Sequence, residues 1–439
     1  MDADALRKDF PVLTRHPDYV YLDNACQTLR PRQVVEAMDE YYLDYPACGG
    51  RSVHRLATQV SIKVDEARER VARFLGAHGP NEIVFTKNCT EAINLVAKGL
   101  GLGKDDEVLT TDFEHNSNLT PWQQLESSVG IKRSYVPSSR KGVFSIEEFK
   151  ERMTKSVKVV SMVHVNNVTG TSIPAKEVAE VAHDRGALVM FDGAQSAPHI
   201  KVDVKRLDAD FYAISAHKML GPSGVGALYG RLELLKCLEP LVTGGGSVAT
   251  STFEKAEMLE PPDRFEGGLQ NYPGIIGTGV ALEYLAAIGM DEVAEHDLDL
   301  NRFVTRELAD LPGLGLVGPY DPELRGGVFC FNLSGMSSHD IAMILDDMAG
   351  VMIRSGMHCA HPFFLSRGLN GAARASFYIY NDLQDCKKFV GAVKRISSTF
   401  TTYTIAAVRL SLGHVTMMDP CETAVRVPPS ITTEHPVMA

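Results

Sequence analysis

Two short stretches carry side chains whose types and spacing can do chemistry together. Val189-Met190-Phe191-Asp192-Gly193-Ala194-Gln195 is an apolar run that ends in an acid. Ile214-Ser215-Ala216-His217-Lys218 is an apolar run that ends in Ser-x-His-Lys and passes into a glycine-rich segment, 221–226. In a parallel α/β sheet the carboxyl ends of the strands open onto the ligand crevice. A Lys held there in a partly apolar setting has a lowered pKa and is nucleophilic enough to form an imine. An Asp delivered to the same crevice can keep a pyridine nitrogen protonated. Lys218 and Asp192 together are therefore what pyridoxal phosphate (PLP) needs to act as an electron sink. Neither says this alone, because a strand-terminal Asp before Gly often caps the next helix and an isolated Lys is usually a solvated charge. The pair leaves transamination, elimination and desulfuration all open.

Other residues can be arranged around that pair. Asn88-Cys89-Thr90-Glu91 follows a strand and opens a helix, so the helix N-terminus and the Thr90 hydroxyl can hold a phosphate, although a plain N-cap reads equally well. Ser215 and His217 can add donors, and Gln195 can reach a ligand at its strand end. His115, in Asp112-Phe113-Glu114-His115-Asn116, can stack on an aromatic cofactor or be an ordinary loop histidine. Cys359 lies in Arg354-Ser355-Gly356-Met357-His358-Cys359-Ala360, a polar loop of small residues. With Arg354 and His358 near in sequence, the expectation is an exposed thiol of lowered pKa. Arg374 enters an apolar strand and needs an anionic partner there. A substrate carboxylate bound bidentately fits, as does a structural ion pair.

These residues need elements to position them. Strand candidates at 82–86, 107–111, 157–165, 187–192, 211–215 and 225–229 alternate with helical patterns at 90–100 and 175–185, which reads as a parallel, doubly wound sheet. A long helical stretch is expected over 274–311. A smaller α+β region follows, with strands at 327–332, 351–355 and 374–379. Residues 6–13 read as a helix. Beyond residue 400 the composition turns to Thr, Val, Pro and Met, which suits an extended arm or a poorly ordered tail.

The bulk numbers set limits. The chain has 439 residues, 44% hydrophobic and 23% charged, ordinary globular proportions with room for about two or three domains. A net charge of −11 with no basic run argues against nucleic acid or an anionic membrane as partner. The acidic start lacks a signal-peptide core and no apolar run is long enough to span a bilayer, so cytoplasm is the expected location. Eight scattered cysteines with no Cys-x-x-Cys argue against structural zinc and a disulfide framework. Most are expected to be buried small hydrophobes.

Taken together, the motifs resemble the class V aminotransferase-like PLP enzymes of fold type I. Within them the chain is similar to group II cysteine desulfurases, the SufS and selenocysteine lyase type. The resemblance runs from Arg7-Lys8-Asp9-Phe10-Pro11 through Tyr21-Leu22-Asp23-Asn24-Ala25 to about residue 400. It is strongest at Asp192-Gly193-Ala194-Gln195, Ser215-Ala216-His217-Lys218, Gly244-Gly245-Gly246-Ser247 and the Cys359 loop, whose shortness suits group II. It implies a large PLP-binding domain over 18–287 with a mostly parallel doubly wound sheet. A smaller α+β domain would comprise 1–17 and 288–400, with a tail at 401–439. It also implies roles. Lys218 carries the cofactor and shuttles protons, Asp192 pairs the ring nitrogen, His115 stacks on the ring and Gln195 bonds the ring hydroxyl. Thr90, Ser215, His217 and the Cys89 backbone hold the phosphate. Asn167 and Arg374 bind the substrate carboxylate, and Arg354, Arg51 and His54 lie nearby. Cys359 takes sulfur from L-cysteine, leaving L-alanine and a persulfide that feeds a protein acceptor or Fe–S scaffold. A homodimer is implied. Selenocysteine lyase uses the same residues, and an aminotransferase or C–S lyase would dispense with Cys359.

The chain also departs from the family pattern. Leu269 stands where a Thr often reaches the partner subunit's phosphate, and Cys26-Gln27 stand where small residues are usual. Asn116 and Met357 each replace a frequent His. Cys421, in the tail, has no family counterpart.

Overall fold

Seven short runs, most of them rich in β-branched and aromatic residues, pair into one sheet. In chain order they are β1 (Ile83–Thr86), β2 (Glu107–Thr111), β3 (Lys132–Val136), β4 (Val157–Val163), β5 (Leu188–Asp192), β6 (Phe211–Ser215) and β7 (Gly226–Gly230). Their spatial order is β1-β7-β6-β5-β4-β2-β3. Neighbours from β3 across to β6 are parallel, while β7 is antiparallel to both β6 and β1. The inner strands β6 and β7 are buried along their whole length, as continuous apolar runs covered on both faces must be. In β5 and β6, Met190 is level with Phe211 and Asp192 with Ala213. The two strands therefore end at the same edge, bringing Asp192 and the segment after Ser215 together.

The structure is a computed structural model that describes residues 1–50 and 52–413, with side-chain detail to 399. Met1–Ser397 form one compact unit, and the described residues from Ser398 on lie outside it. A second, antiparallel sheet lies in the first unit: β8 (Leu314–Leu316), β9 (Val328–Leu333), β10 (Arg354–Gly356) and β11 (Ala372–Ser376), in the order β8-β9-β11-β10. Its own apolar cluster centres on Phe329, Phe331, Phe377 and Phe389. The fold is thus the α/β arrangement expected, a large, mostly parallel sheet with a smaller antiparallel one.

Several elements differ from the sequence reading. Residues 6–13 are not one helix. Ala3–Arg7 and Pro11–Arg15 are separate, because Pro11 can open a helix but disfavours helical backbone just before it. The stretch 274–311 breaks into Tyr272–Ile288 and Met290–Leu308, bent by 76°. Between them sits Gly289, at φ 96°. Residues 351–355 serve two partners: Val351–Met352 pairs with Val20–Tyr21, and β10 begins at Arg354. The strand expected at 374–379 is Ala372–Ser376. Unforeseen are β3, an edge strand whose Lys-Arg-Ser start suits an edge, and the hairpin Val248–Ser251/Ala256–Met258. Also unforeseen are the helices Arg32–Asp44 and Arg55–Leu75, which pack on Tyr272–Ile288. The last described element, Leu383–Gly413, is helical where an extended arm or tail had been expected to begin. Cys421 lies outside the described residues. Among the described residues no single helix is long and apolar enough to cross a membrane.

One buried ion pair fastens the helix Arg55–Leu75 to the sheet. Arg68 donates from Nη1 to Glu266 Oε1 at 2.6 Å and to the Ile83 carbonyl at 2.9 Å, and from Nη2 to Glu266 Oε2 at 2.9 Å. The Phe85 amide donates to the same Oε1 at 2.7 Å. Breaking a buried pair from one side strands a charge at a cost of about 3–5 kcal/mol. Glu266→Ala is therefore expected to lower unfolding stability by roughly that amount in denaturant titration. A change under about 1 kcal/mol would show that the pair is screened by solvent.

Candidate active site

A cavity of about 410 Å³ opens where the carboxyl ends of β4, β5 and β6 meet the loop after β10. Asp192, the last residue of β5, is 3% exposed. Its Oδ1 accepts the Ala194 amide at 2.9 Å and the Cys89 thiol at 3.2 Å. Lys218, three residues past the end of β6, faces the same space. Burial pushes its ammonium below the usual lysine range, and the Asp192 carboxylate offsets part of that. Burial also pushes the Cys89 thiol well up, which keeps it protonated as a donor to Asp192.

The helix Cys89–Gly99 points its N-terminus at the cavity. Asn88 caps it by accepting the Glu91 amide at 2.9 Å, and the Ser215 hydroxyl accepts the Cys89 amide at 2.9 Å. Strand β7 can pass beneath this turn only because residue 226 is Gly. A Cβ there would lie 2.6 Å from both Asn88 Cα and the Ile214 carbonyl oxygen. The Thr90 and Ser117 hydroxyls are 2.7 Å apart. The Ser117 amide donates to His115 Nδ1 at 3.1 Å, which leaves the proton of the neutral ring on Nε2. His115 is pushed down to about 4, first by burial and then by the Lys218 charge. His217 is pushed down to about 4 by burial, Lys218 and Arg30.

On the opposite wall, Gln195 donates from Nε2 to the Ala25 carbonyl at 2.6 Å, and its buried Oε1 has no partner. Arg374 donates from Nη1 to the Asn167 carbonyl at 2.8 Å and from Nη2 to Asp23 at 3.4 Å, leaving its buried Nε without an acceptor. Asn167 Oδ1 is likewise unpartnered. Arg354 stands directly across from Arg374 in the β10–β11 register. Like charges so placed repel, and Asp23 lies between them, 3.4 Å from Arg374 and 3.7 Å from Arg354.

Cys359 is exposed, on a turn held by three tethers. The Asn116 amide donates to the Cys359 carbonyl at 2.7 Å, Asn167 Nδ2 donates to the His358 carbonyl at 2.8 Å, and His358 Nε2 lies 3.0 Å from the Ala372 carbonyl. His358 and Cys359 have φ of 48° and 55°, two consecutive non-Gly residues in the left-handed region, a conformation that surrounding contacts have to impose. The arrangement corrects one sequence expectation. The described contacts of Arg354 and His358 lie elsewhere than on Cys359: Arg354 Nη1 donates to Cys26 Sγ at 3.2 Å. His358 is buried and pushed down to about 2 by burial and by Arg374, so it stays neutral.

The cavity brings together Cys89, Thr90, His115, Asn167, Asp192, Gln195, Ser215, His217, Lys218, Arg354, Cys359 and Arg374. It does not include His54, which is exposed and caps the helix Arg55–Leu75 by accepting the Ala57 amide at 3.3 Å. Arg51 is outside the described residues. Sequence reasoning missed Asp23 and Ser117 as parts of the site. Ser117, two residues past His115, carried a local signal, but the pairing of Asp23 with Arg374, 351 residues away, carried none.

The profile of the class-V aminotransferase family matches residues 20–389, and the chain belongs to that family. A probable cysteine desulfurase of Halalkalibacterium halodurans is 39% identical over 406 residues, 91% of this chain and 99% of the relative. The cysteine desulfurase of Haloferax volcanii is 39% identical over 91% of this chain and 98% of its own length. Among solved structures, the apo cysteine desulfurase of Thermococcus onnurineus superposes with a TM-score of 0.87 at 39% identity, covering 90% of this chain and 98% of that one. The S-sulfonic acid form of an Escherichia coli cysteine desulfurase gives 0.84 at 33% identity, covering 90% and 98%.

The electrostatics are open to test. His115 is expected to titrate at about 4 rather than 6.5 in a histidine NMR titration. Lys218→Ala should move that midpoint up by removing a cation, and Asp192→Asn should move it down. Between those two values the unfolded chain binds the extra proton. The stability His115 contributes is therefore in place above 6.5 and lost as pH falls through about 4. A midpoint at 6.5, insensitive to Lys218, would contradict the assigned burial.

Proposed function

We propose that the chain is a PLP-dependent cysteine desulfurase of the group II, SufS-like type, converting L-cysteine to L-alanine with a persulfide on Cys359. The observation that carries this is the exposed Cys359 thiol on a tethered turn that opens onto the same cavity as the half-buried Lys218 and the buried Asp192. The relatives named cysteine desulfurase support it. The residues present fit the cofactor. A helix N-terminus with Thr90, Ser215 and His217 suits its phosphate, the unpartnered Gln195 Oε1 suits a ring hydroxyl, and Asp192 suits a protonated ring nitrogen. PLP held through Lys218 supplies the electron sink.

Each side chain then has a task. Asp192 would keep the ring nitrogen protonated, with its Oδ1 already fixed by Ala194 and Cys89. His115, neutral and bonded to Ser117, would lie against the ring. Lys218, lowered by burial, takes and returns protons beside the substrate carbon. Arg374, with its unpartnered Nε, and Asn167 would bind the substrate carboxylate. Cys359 would attack the substrate sulfur, the bond from that sulfur to the substrate β-carbon would break with its electrons left on the alanine being formed, and the outer sulfur of the Cys359 persulfide would pass to a protein acceptor or scaffold for Fe–S cluster assembly. The reading includes a homodimer in the cytoplasm. Leu269, 75% exposed, gives its partner no hydroxyl for a phosphate contact. It also includes 18–287 as the cofactor-bearing domain, with 1–17 and 288–400 as the domain that carries Cys359 and Arg374.

Cys359→Ala separates this from a lyase or aminotransferase that ignores the thiol. Sulfur release from L-cysteine should fall to background while the visible absorbance of bound cofactor is retained. Release at the full rate would overturn the persulfide route. Arg374→Gln should weaken L-cysteine by about 1.5–3 kcal/mol, roughly 10- to 160-fold in KM, for the loss of a hydrogen-bonded charge. An unchanged KM would remove Arg374 from carboxylate binding.

A further inference from the structure

Three of the described cysteines line the cavity: Cys26, Cys89 and Cys359. Cys89 is buried and committed as a donor to Asp192. Cys26 is different. It is partly exposed and ends the turn Asp23-Asn24-Ala25-Cys26, closed by its own amide on the Asp23 carbonyl at 3.1 Å. That turn is rigidly held. Asn24, fully buried, donates to the Ser376 carbonyl at 2.6 Å, and the Ala25 carbonyl accepts from Gln195 at 2.6 Å. Arg354 Nη1 donates to Cys26 Sγ at 3.2 Å. Arg354 also opens the strand that leads into the Cys359 turn, five residues on. The wall beside Cys26 is built to face an anion. Arg374 is 2% exposed with an unpartnered Nε, and Lys218 lines the same cavity.

We propose that Cys26 is a second sulfur-accepting thiol of this cavity, charged from Cys359 by thiol–persulfide exchange. The inference rests on the desulfurase reading above. The Cys26 thiolate attacks the outer sulfur of the Cys359 persulfide, and a new S–S bond forms at Cys26 Sγ. The bond between the outer sulfur and Cys359 Sγ breaks, and Cys359 leaves as the thiolate. The proton lost by Cys26 passes to Cys359 or to water. The transferred sulfur keeps its oxidation state, so no oxidant or reductant is consumed, and the exchange is reversible. A persulfide moved to Cys26 sits against Arg354, at a less exposed position than Cys359, and Cys359 is free for another turnover.

The test uses the PLP-loaded full chain and a limited amount of L-cysteine without reductant, followed by alkylation and peptide mass spectrometry with alanine measured in parallel. The expected result is added sulfur on both Cys359 and Cys26 in the unaltered chain. In Cys359→Ser it should fall to background on Cys26, and in Cys26→Ser it should be confined to Cys359. Added sulfur on Cys359 alone in the unaltered chain, with alanine formed, would overturn the relay and leave the desulfurase reading standing. Sulfur on Cys26 in Cys359→Ser would also overturn it, because Cys26 would then be loaded directly. No alanine and no added sulfur on any cysteine would overturn the desulfurase reading itself, and the relay with it.

Discussion

The structure depends on burying opposite charges at one sheet edge. Asp192 is buried at the end of β5 and Lys218, half-buried, follows the end of the adjacent parallel β6, where an unpaired charge would cost several kcal/mol. Burial lowers the Lys218 ammonium from the usual lysine range, and the Asp192 carboxylate offsets part of that. Much around them follows from that edge. The parallel register of β5 and β6 sets their spacing. The glycine at 226 lets β7 pass beneath the turn at Asn88 that starts the helix. His115 and His217 are kept neutral by burial and by the lysine charge.

A second charge arrangement ties the smaller sheet to this edge. Arg354 and Arg374 face each other across β10 and β11, and Asp23, delivered from the N-terminal segment, stands against both. Burial pushes the Asp23 carboxyl up despite the two cations, so the group is held by geometry at some electrostatic cost. The turn bearing Cys359 is likewise held against its own backbone preference, by hydrogen bonds from Asn116 and Asn167. Strain at that point keeps the thiol at the cavity mouth instead of folding it into the core.

Local pattern was enough to read the main sheet and most of the site. Asp192 and Lys218 each sit where an apolar strand stops, and Thr90 sits where a helix starts, so strand ends and helix starts are visible in residue order. What was not legible depends on partners distant in sequence. Residues 351–355 read as one strand because nothing local reveals that Val351–Met352 pairs with the N-terminal segment while β10 joins a different sheet. Arg354 was taken as a neighbour of Cys359 by proximity in sequence, whereas the pleat turns it toward Cys26 and Asp23. The resemblance put His54 near the site; in the described chain it lies outside the cavity and caps the helix Arg55–Leu75. Edge strand β3 was missed because charged residues at an edge look like a loop.

The central claim is that the electron sink and the Cys359 thiol work on one substrate in one cavity. The most direct measurement is a product balance on the PLP-loaded chain given L-cysteine without reductant or acceptor. Alanine, pyruvate, ammonia and protein-bound sulfane sulfur would be quantified together. The account predicts alanine matched by sulfane sulfur on the protein, with no pyruvate and no ammonia. Pyruvate and ammonia in equal amounts, with the protein free of added sulfur, would contradict it and identify an elimination instead.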